Sequence, residues 1–243
     1  MKQFLLSSND VTRPGHVINL GKVDYQEALD LQVSLREQRI AGEVPDTLVL
    51  LEHPPVITIG RSGSLDNVLA PERELEAHGI RLLHTNRGGD VTYHGPGQLV
   101  GYTIMDLRPY GMNLQEHLRR LEEATIQALE VLGIRAGHNQ AGTGVWVGEE
   151  KIASIGLHIR RWVTMHGFAL NLHPNLGHFS LIYPCGIKDR AMTSVERLLG
   201  HRVDSSQARS AVARGFGNVF GLCLEERQPP PGMEASWQAV SRI

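Results

Sequence analysis

The chain is short of lysine and cysteine and has no long hydrophobic run. Only Lys2, Lys22, Lys151 and Lys188 are lysines among 24 basic residues, so arginine carries nearly all the positive charge. A base-composition bias accounts for that without any functional preference. With 26 acidic residues the formal charge is -2, which leaves no face-wide positive excess to displace counterions and excludes bulk nucleic-acid binding. The two cysteines, Cys185 and Cys223, show neither zinc-type spacing nor a framework of bridges, and this suits a reducing compartment. The opening MKQFLLSSND offers only Phe4 to Leu6 as an apolar run, far short of a signal-peptide core or membrane span. The expectation is a cytoplasmic protein with no membrane association. No Gly-Lys-Ser/Thr phosphate loop occurs. The 12 histidines include no His-x-x-x-His with an accompanying glutamate, and His166, His173 and His178 lack metal-ligand spacing, so no metal and no cofactor is expected.

What is present is an ordinary globular composition, 41% hydrophobic and 21% charged over 243 residues, long enough to bury a core without a disulfide or metal staple. No linker-like stretch separates Val17 from Leu224. The reading is one α+β (mixed α/β) domain, with an N-terminal extension over residues 1–16, the main domain over 17–226 and a loose tail over 227–243, where QPPPGM is too rich in proline and glycine to pack. A helix is expected from Asp24 to Arg39, capped by Asp24 and stopped by Gly42. A second starts after Asn113 and ends at Gly133. TLVLLEHPPVITIG reads as strand, turn, strand, QLVGYTIMDL and MHGFALNL as strands, and GVWV with KIASIGLHI as a hairpin. Residues 192–199 and 205–220 look helical. Strands come in runs, which argues for a central mixed, largely antiparallel sheet flanked by helices.

Three features carry chemistry. RGGDVTYHGPGQ, from Arg87 to Gln98, packs four glycines among Asp90, Thr92, Tyr93 and His94. Such a loop lets backbone approach a ligand, and it equally suits a tight turn between strands; it is not the dinucleotide fingerprint, because Val100 stands where the third glycine belongs. Cys185, in Tyr-Pro-Cys-Gly-Ile, sits where Pro184 and Gly186 favour a bend that exposes the thiol. An inert buried cysteine is the plain alternative, and it suits Cys223 in its apolar run. Strand alternation would place Lys151 on one face with Ala153, Ile155, Leu157 and Ile159, desolvating its amine; a thiol beside it could form a thiolate-ammonium pair. A lysine pointing into water from a hairpin end is the other reading. His94 or His173 could partner Cys185.

Taken together, LEHPPVITIGR, RGGDVTYHGPGQLVGY, GVWVGEEKIASIGLHI, HGFALNL and IYPCGI closely resemble the lipoyl (octanoyl) transferase family, across residues 17–200. The resemblance implies a domain like the catalytic domain of biotin and lipoate protein ligases. It implies an acyltransferase that moves an octanoyl group from acyl carrier protein to a lysine of lipoyl domains, those of 2-oxoacid dehydrogenase complexes and the glycine cleavage H protein. It places the nucleophile on Cys185 and the lysine that tunes it on Lys151. The acyl-binding segments fall on Arg87, Gly88, Gly89, Asp90, Val91, Thr92, Tyr93 and His94, on Ser154, Ile155 and Gly156, and on Gly167, Phe168 and Ala169. Ile155, Phe168 and Leu170 are candidate walls of an acyl slot; Arg119-Arg120 and Arg160-Arg161 are candidates for steering acidic partners. The rival readings are an ATP-dependent lipoate or biotin ligase, a cysteine hydrolase and a non-catalytic acyl-binding protein.

Overall fold

The computed structural model describes residues 12–183, 191–231 and 233. Cys185 lies outside the described residues. In chain order the elements are β1 (Arg13–Lys22), α1 (Tyr25–Ala41), β2 (Asp46–Glu52), β3 (Val56–Ile59), α2 (Glu72–Ala77), β4 (Arg81–His84), β5 (Val91–His94) and β6 (Gln98–Ile104). Then follow α3 (Leu114–Val131), β7 (Val145–Val147), β8 (Glu150–Arg160), β9 (Val163–Asn171), α4 (Val195–Leu199), α5 (Ser205–Phe220) and β10 (Leu222–Arg227).

Seven strands form the central sheet in the order β10-β1-β2-β6-β9-β8-β7, and three more form a small sheet, β4-β3-β5. The large sheet is mixed: β10, β1 and β2 run parallel, while β2-β6, β6-β9, β9-β8 and β8-β7 are antiparallel. Helices cover both faces. Leu48 and Leu50 of β2 enter a core shared with α3 and α5, whereas Val49 and Leu51 face α1. Burial on both sides explains why this strand is an unbroken apolar run and not an alternating one.

The helix punctuation follows the sequence signals. Asp24 accepts the Gln26 N–H and Gly42 ends α1 in the left-handed region; Asn113 accepts the Glu116 N–H at the start of α3. Helices α3 and α5 pack at Gly215, where an added Cβ would lie 2.4 Å from the Ala124 carbonyl oxygen.

The strand, turn, strand reading of TLVLLEHPPVITIG holds as β2 and β3, though the two strands belong to different sheets. Several expectations change. β1 starts at Arg13, inside the expected extension, and its residues 13–18 pair in parallel with β10. Residues 192–199 are helical only over α4; Met192 instead bridges to Lys151 in parallel. Cys223 is exposed on β10, an edge strand, and not buried. Met233, placed in the loose tail, is half-buried against the core beneath α1. Among the described residues no helix is long and apolar enough to cross a membrane.

Candidate active site

Along β5, alternation divides the glycine-rich segment into two functions. Val91 and Tyr93 are buried in the small sheet's own core with Ile57, Ile59 and Phe179. Thr92 and His94 point the opposite way, into a cleft against the α1 face of the large sheet. The cleft encloses about 470 Å³ of empty space, including its open mouth. It is bordered by Arg87, Gly88 and Gly89, by Ser154, Ile155 and Gly156 of β8, and by Gly167, Phe168 and Ala169 of β9. Three separate stretches of chain thus meet at one cavity because β8 and β9 are neighbours and the Arg87 loop lies across them. Gly88 donates to the Leu157 carbonyl at 2.7 Å. A Cβ at Gly156 would lie 2.8 Å from the Gly88 carbonyl oxygen, so this contact needs a bare backbone.

Three of the expected substrate-binding positions are not on the cavity. Val91 and Tyr93 face the small core, and Tyr93 directs its hydroxyl at His178 Nδ1, 2.8 Å away. Asp90 braces the loop: its carboxylate accepts from the backbone N–H of Ser64 and Val91 and from Asn67 Nδ2. Leu170 is buried beneath α3 and α5 and is not a wall. Conversely, Tyr25, Val100, Tyr102 and His166 line the cavity without having been singled out for it. Val100 and Tyr102 were legible as one face of β6 by their two-residue spacing. His166 gave no signal, because it is held at φ +61°, a left-handed conformation that redirects its side chain. Gln32 accepts the His166 backbone N–H at 2.8 Å, and His166 Nε2 lies 2.7 Å from Asn86 Oδ1.

The imidazoles of His94 and His166 and the phenols of Tyr25 and Tyr102 build the inner wall, with His53 buried behind them. His53 packs 5.1 Å from the Tyr25 ring, 5.8 Å from His94 and 5.9 Å from Tyr102. Burial is the main reason that the His53 pKa falls to about 4 and those of His94 and His166 to about 3. Burial also raises Tyr25 and Tyr102 above the ordinary phenol range. These five groups are therefore uncharged at neutral pH. Arg87 supplies positive charge, but its guanidinium turns toward β3, donating to Thr58 Oγ1 and the Thr58 carbonyl and to the Gly88 carbonyl. Apart from Arg87, whose guanidinium is engaged by Thr58 and Gly88, the lining carries no charge at neutral pH, which suits an uncharged acyl chain.

Lys151 is buried, with 4% of its surface exposed, but not by the expected alternation. Trp146 pairs with Lys151 and Val145 with Ala153, so β8 carries an extra residue there. Ile152 and Ala153 both enter the α3/α5 core, and the regular face resumes only beyond this bulge. The Lys151 ammonium sits 5.2 Å from the Trp146 ring centre, a cation-π contact. Its backbone N–H donates to the Ala191 carbonyl at 2.9 Å, and its carbonyl accepts from Thr193 at 2.9 Å. Residues 191–193, the stretch that follows residues 184–190, thus run beside the lysine. His173 lies beside Gly97 and off the cavity. Of the proposed steering arginines, Arg120 pairs with Glu116 and Arg160 with Glu37. No group of three or more histidine, cysteine, aspartate or glutamate side chains able to hold a metal occurs among the described residues.

The family profile of the lipoyl protein ligase A/B catalytic domain matches residues 24–217. An octanoyltransferase from Caldicellulosiruptor saccharolyticus is 50% identical over 208 residues, covering 85% of this chain and 88% of the relative. One from Alkaliphilus metalliredigens is 49% identical, covering 87% and 97%. The chain belongs to the octanoyltransferase family. Members are acyltransferases, and the chain is one. Among solved structures, a lipoate-protein ligase A bound with ATP superposes with a TM-score of 0.72 over 93% of this chain and 94% of that one. At 19% identity this shows a shared fold.

Proposed function

We propose that this protein transfers an octanoyl group from octanoyl-acyl carrier protein to a lysine of a lipoyl domain, through a thioester on Cys185. Lipoyl domains of 2-oxoacid dehydrogenase complexes and the glycine cleavage H protein are the acceptors. Family membership supports the reaction class. The observation that carries the mechanism is the buried Lys151, hydrogen-bonded on both sides of its peptide to residues 191 and 193, six and eight positions beyond Cys185.

In the first half-reaction the Cys185 thiolate attacks the thioester carbonyl. The Sγ–C bond forms, the bond to the carrier's sulfur breaks, and the departing thiolate takes a proton from the Lys151 ammonium. In the second, the acceptor amine, after losing a proton to solvent, attacks the acyl carbon. The N–C bond forms, the Sγ–C bond breaks, and the amine's further proton passes to the neutral Lys151, restoring the ion pair. Lowering the thiol pKa from about 8.5 to about 6.5 would raise the thiolate fraction roughly 25-fold at pH 7 but cost about tenfold in nucleophilicity, a net gain of about two- to threefold. The larger cost is met in solvent before attack: a free lysine is neutral in about 0.04% of molecules at pH 7, a penalty of about 4.6 kcal/mol, and Lys151 takes only the proton that the attacking nitrogen sheds afterwards.

Binding of the chain is apolar. Burying about seven carbons beyond the carbonyl would contribute about 5–6 kcal/mol at about 0.8 kcal/mol per methylene. Along the Arg87 to Gln98 segment three backbone amides are already engaged: Gly88 donates to Leu157, Val91 to Asp90 and Gly97 to Glu52. Those three are not oxyanion donors.

The test is transfer to a purified lipoyl domain from octanoyl-acyl carrier protein without ATP, read by intact mass. A mass increase of one octanoyl group on the acceptor is expected. Strict dependence on ATP and free octanoate would point to a ligase, and release of free acid with acceptor in excess would point to a hydrolase.

A further inference from the structure

One carboxylate on α3 staples the loop that precedes β7. Glu122 is buried, 7% exposed, on a helix whose other buried side chains are mostly apolar. A carboxylate in such a place is costly unless its oxygens are engaged, and here both are. Oε1 accepts the Gly144 backbone N–H at 2.8 Å, and Oε2 lies 2.9 Å from His138 Nδ1. His138 and Gly144 stand on the two arms of one loop. Its base is closed by Gly137 and Trp146, each donating its backbone N–H to the other's carbonyl, at 2.8 and 2.9 Å. The Trp146 indole N–H then reaches back to the Gly142 carbonyl at 3.2 Å, which fixes the ring against the same loop.

Two points of that loop touch Lys151. Gly144, at φ +133°, lies so near the lysine stem that a Cβ there would strike Lys151 Cε and come within 3.1 Å of Nζ. Trp146 pairs with Lys151 across the strands and sets its ring centre 5.2 Å from the ammonium. A lysine amine is a point charge on a flexible stem, so its place is set by the walls around it. Gly144 backs the stem and Trp146 faces the charge. Gly144 precedes β7, and its N–H goes to Glu122 and not to a neighbouring strand. We propose that Glu122 is a positioning residue for the Lys151 amine: by holding Gly144 against the stem it keeps the ammonium over the indole. Glu122 does not line the cavity, so its effect on the reaction passes through Lys151. This inference rests on the part given to Lys151 in the proposed reaction.

Nuclear magnetic resonance reads the amine's position directly. In protein labelled at the lysine ε-carbon, the four lysines give four methylene signals, and the one missing from Lys151→Met belongs to Lys151. Held over the face of Trp146, its protons are expected upfield of the other three. In Glu122→Ala the Gly144 N–H loses its acceptor. The upfield displacement is expected to fall by about half or more, and kcat for octanoyl transfer to a lipoyl domain to fall about 10²-fold, the usual cost of misplacing a reacting group, with KM for octanoyl-acyl carrier protein within about twofold of wild type. Glu122→Gln keeps an oxygen for the Gly144 N–H and is expected to retain the displacement and a kcat within about threefold of wild type, since the bond loses only its charge assistance. Should the alanine variant fold poorly, Glu122→Leu fills the space with carbon, offers no acceptor and is read in the same way. A merely structural role would lower the melting midpoint and leave the Lys151 signal in place, and that result overturns the proposal. So does an equal loss in Glu122→Gln, which would mean that the charge of Glu122, and not its hold on Gly144, acts on the amine. A Lys151 signal that moves with no loss of kcat upholds the hold of Glu122 and overturns instead the part given to Lys151 in the reaction.

Discussion

Replacing Ala169 with valine should shorten the acyl chain that the enzyme prefers. Ala169 lines the cavity from β9, directly opposite Val100 on one neighbouring strand and Ser154 on the other. Valine suits a strand and adds two carbons on the cavity side. If the acyl tail runs past this position, those carbons displace about two methylenes at about 0.8 kcal/mol each. The loss of about 1.6 kcal/mol is roughly 15-fold in kcat/KM for octanoyl transfer, with hexanoyl transfer unchanged because the shorter chain stops before the obstruction. Octanoyl- and hexanoyl-acyl carrier protein would compete for one lipoyl domain, with the two products counted by intact mass. Ala169→Ser serves as a control that leaves the volume nearly alone. An unchanged product ratio in an Ala169→Val protein with wild-type melting behaviour would refute the route assigned to the tail.

Lys151→Met keeps the stem packed against Gly144 and Trp146 but deletes the amine. Turnover should fall about 10²- to 10⁴-fold with the fold intact, the range for a lost acid-base group, and wild-type turnover would contradict its role. His117 is fully buried on α3 against Phe220, with neither ring nitrogen partnered, and its pKa is lowered to about 3 by burial. A histidine whose folded pKa is depressed contributes stability above its unfolded pKa, near 6.5, and loses it as pH falls toward the folded value. His117→Leu should therefore stabilise the protein against urea, and its advantage should widen by about 2 kcal/mol between pH 7 and pH 5; a constant difference across that window would refute the burial argument. Gly215→Ala should cost about 1–3 kcal/mol, because the new Cβ meets the Ala124 carbonyl oxygen at 2.4 Å. A calorimetric scan showing an unchanged midpoint would mean that α3 and α5 can separate freely.

The parts legible in the sequence were those set by local chemistry. Asp24, Gly42 and Asn113 punctuate helices through bonds within a turn or two, and their signals held. Pairings between distant segments left no such trace. β1 carries Pro14, Gly15 and Gly21 in place of a clean alternation, and its partner β10 lies some 200 residues on. The apolar run around Cys223 suggested burial, yet β10 is an edge strand and exposes that thiol. In the cavity the glycines of the Arg87 loop were readable, but the period of β5 sends Val91 and Tyr93 elsewhere. A bulge in β8 and a left-handed His166 then reset two side chains that simple alternation misplaces.

In the proposed reaction the octanoyl group rests on the Cys185 sulfur between donor and acceptor. Incubating the wild-type protein with octanoyl-acyl carrier protein alone, then digesting it and sequencing the peptides by mass spectrometry, tests this directly. One octanoyl group is expected, on the peptide that contains Cys185, which disappears when a lipoyl domain is added and never forms in Cys185→Ala. Octanoylation of the lipoyl domain at the wild-type rate by Cys185→Ala would contradict it.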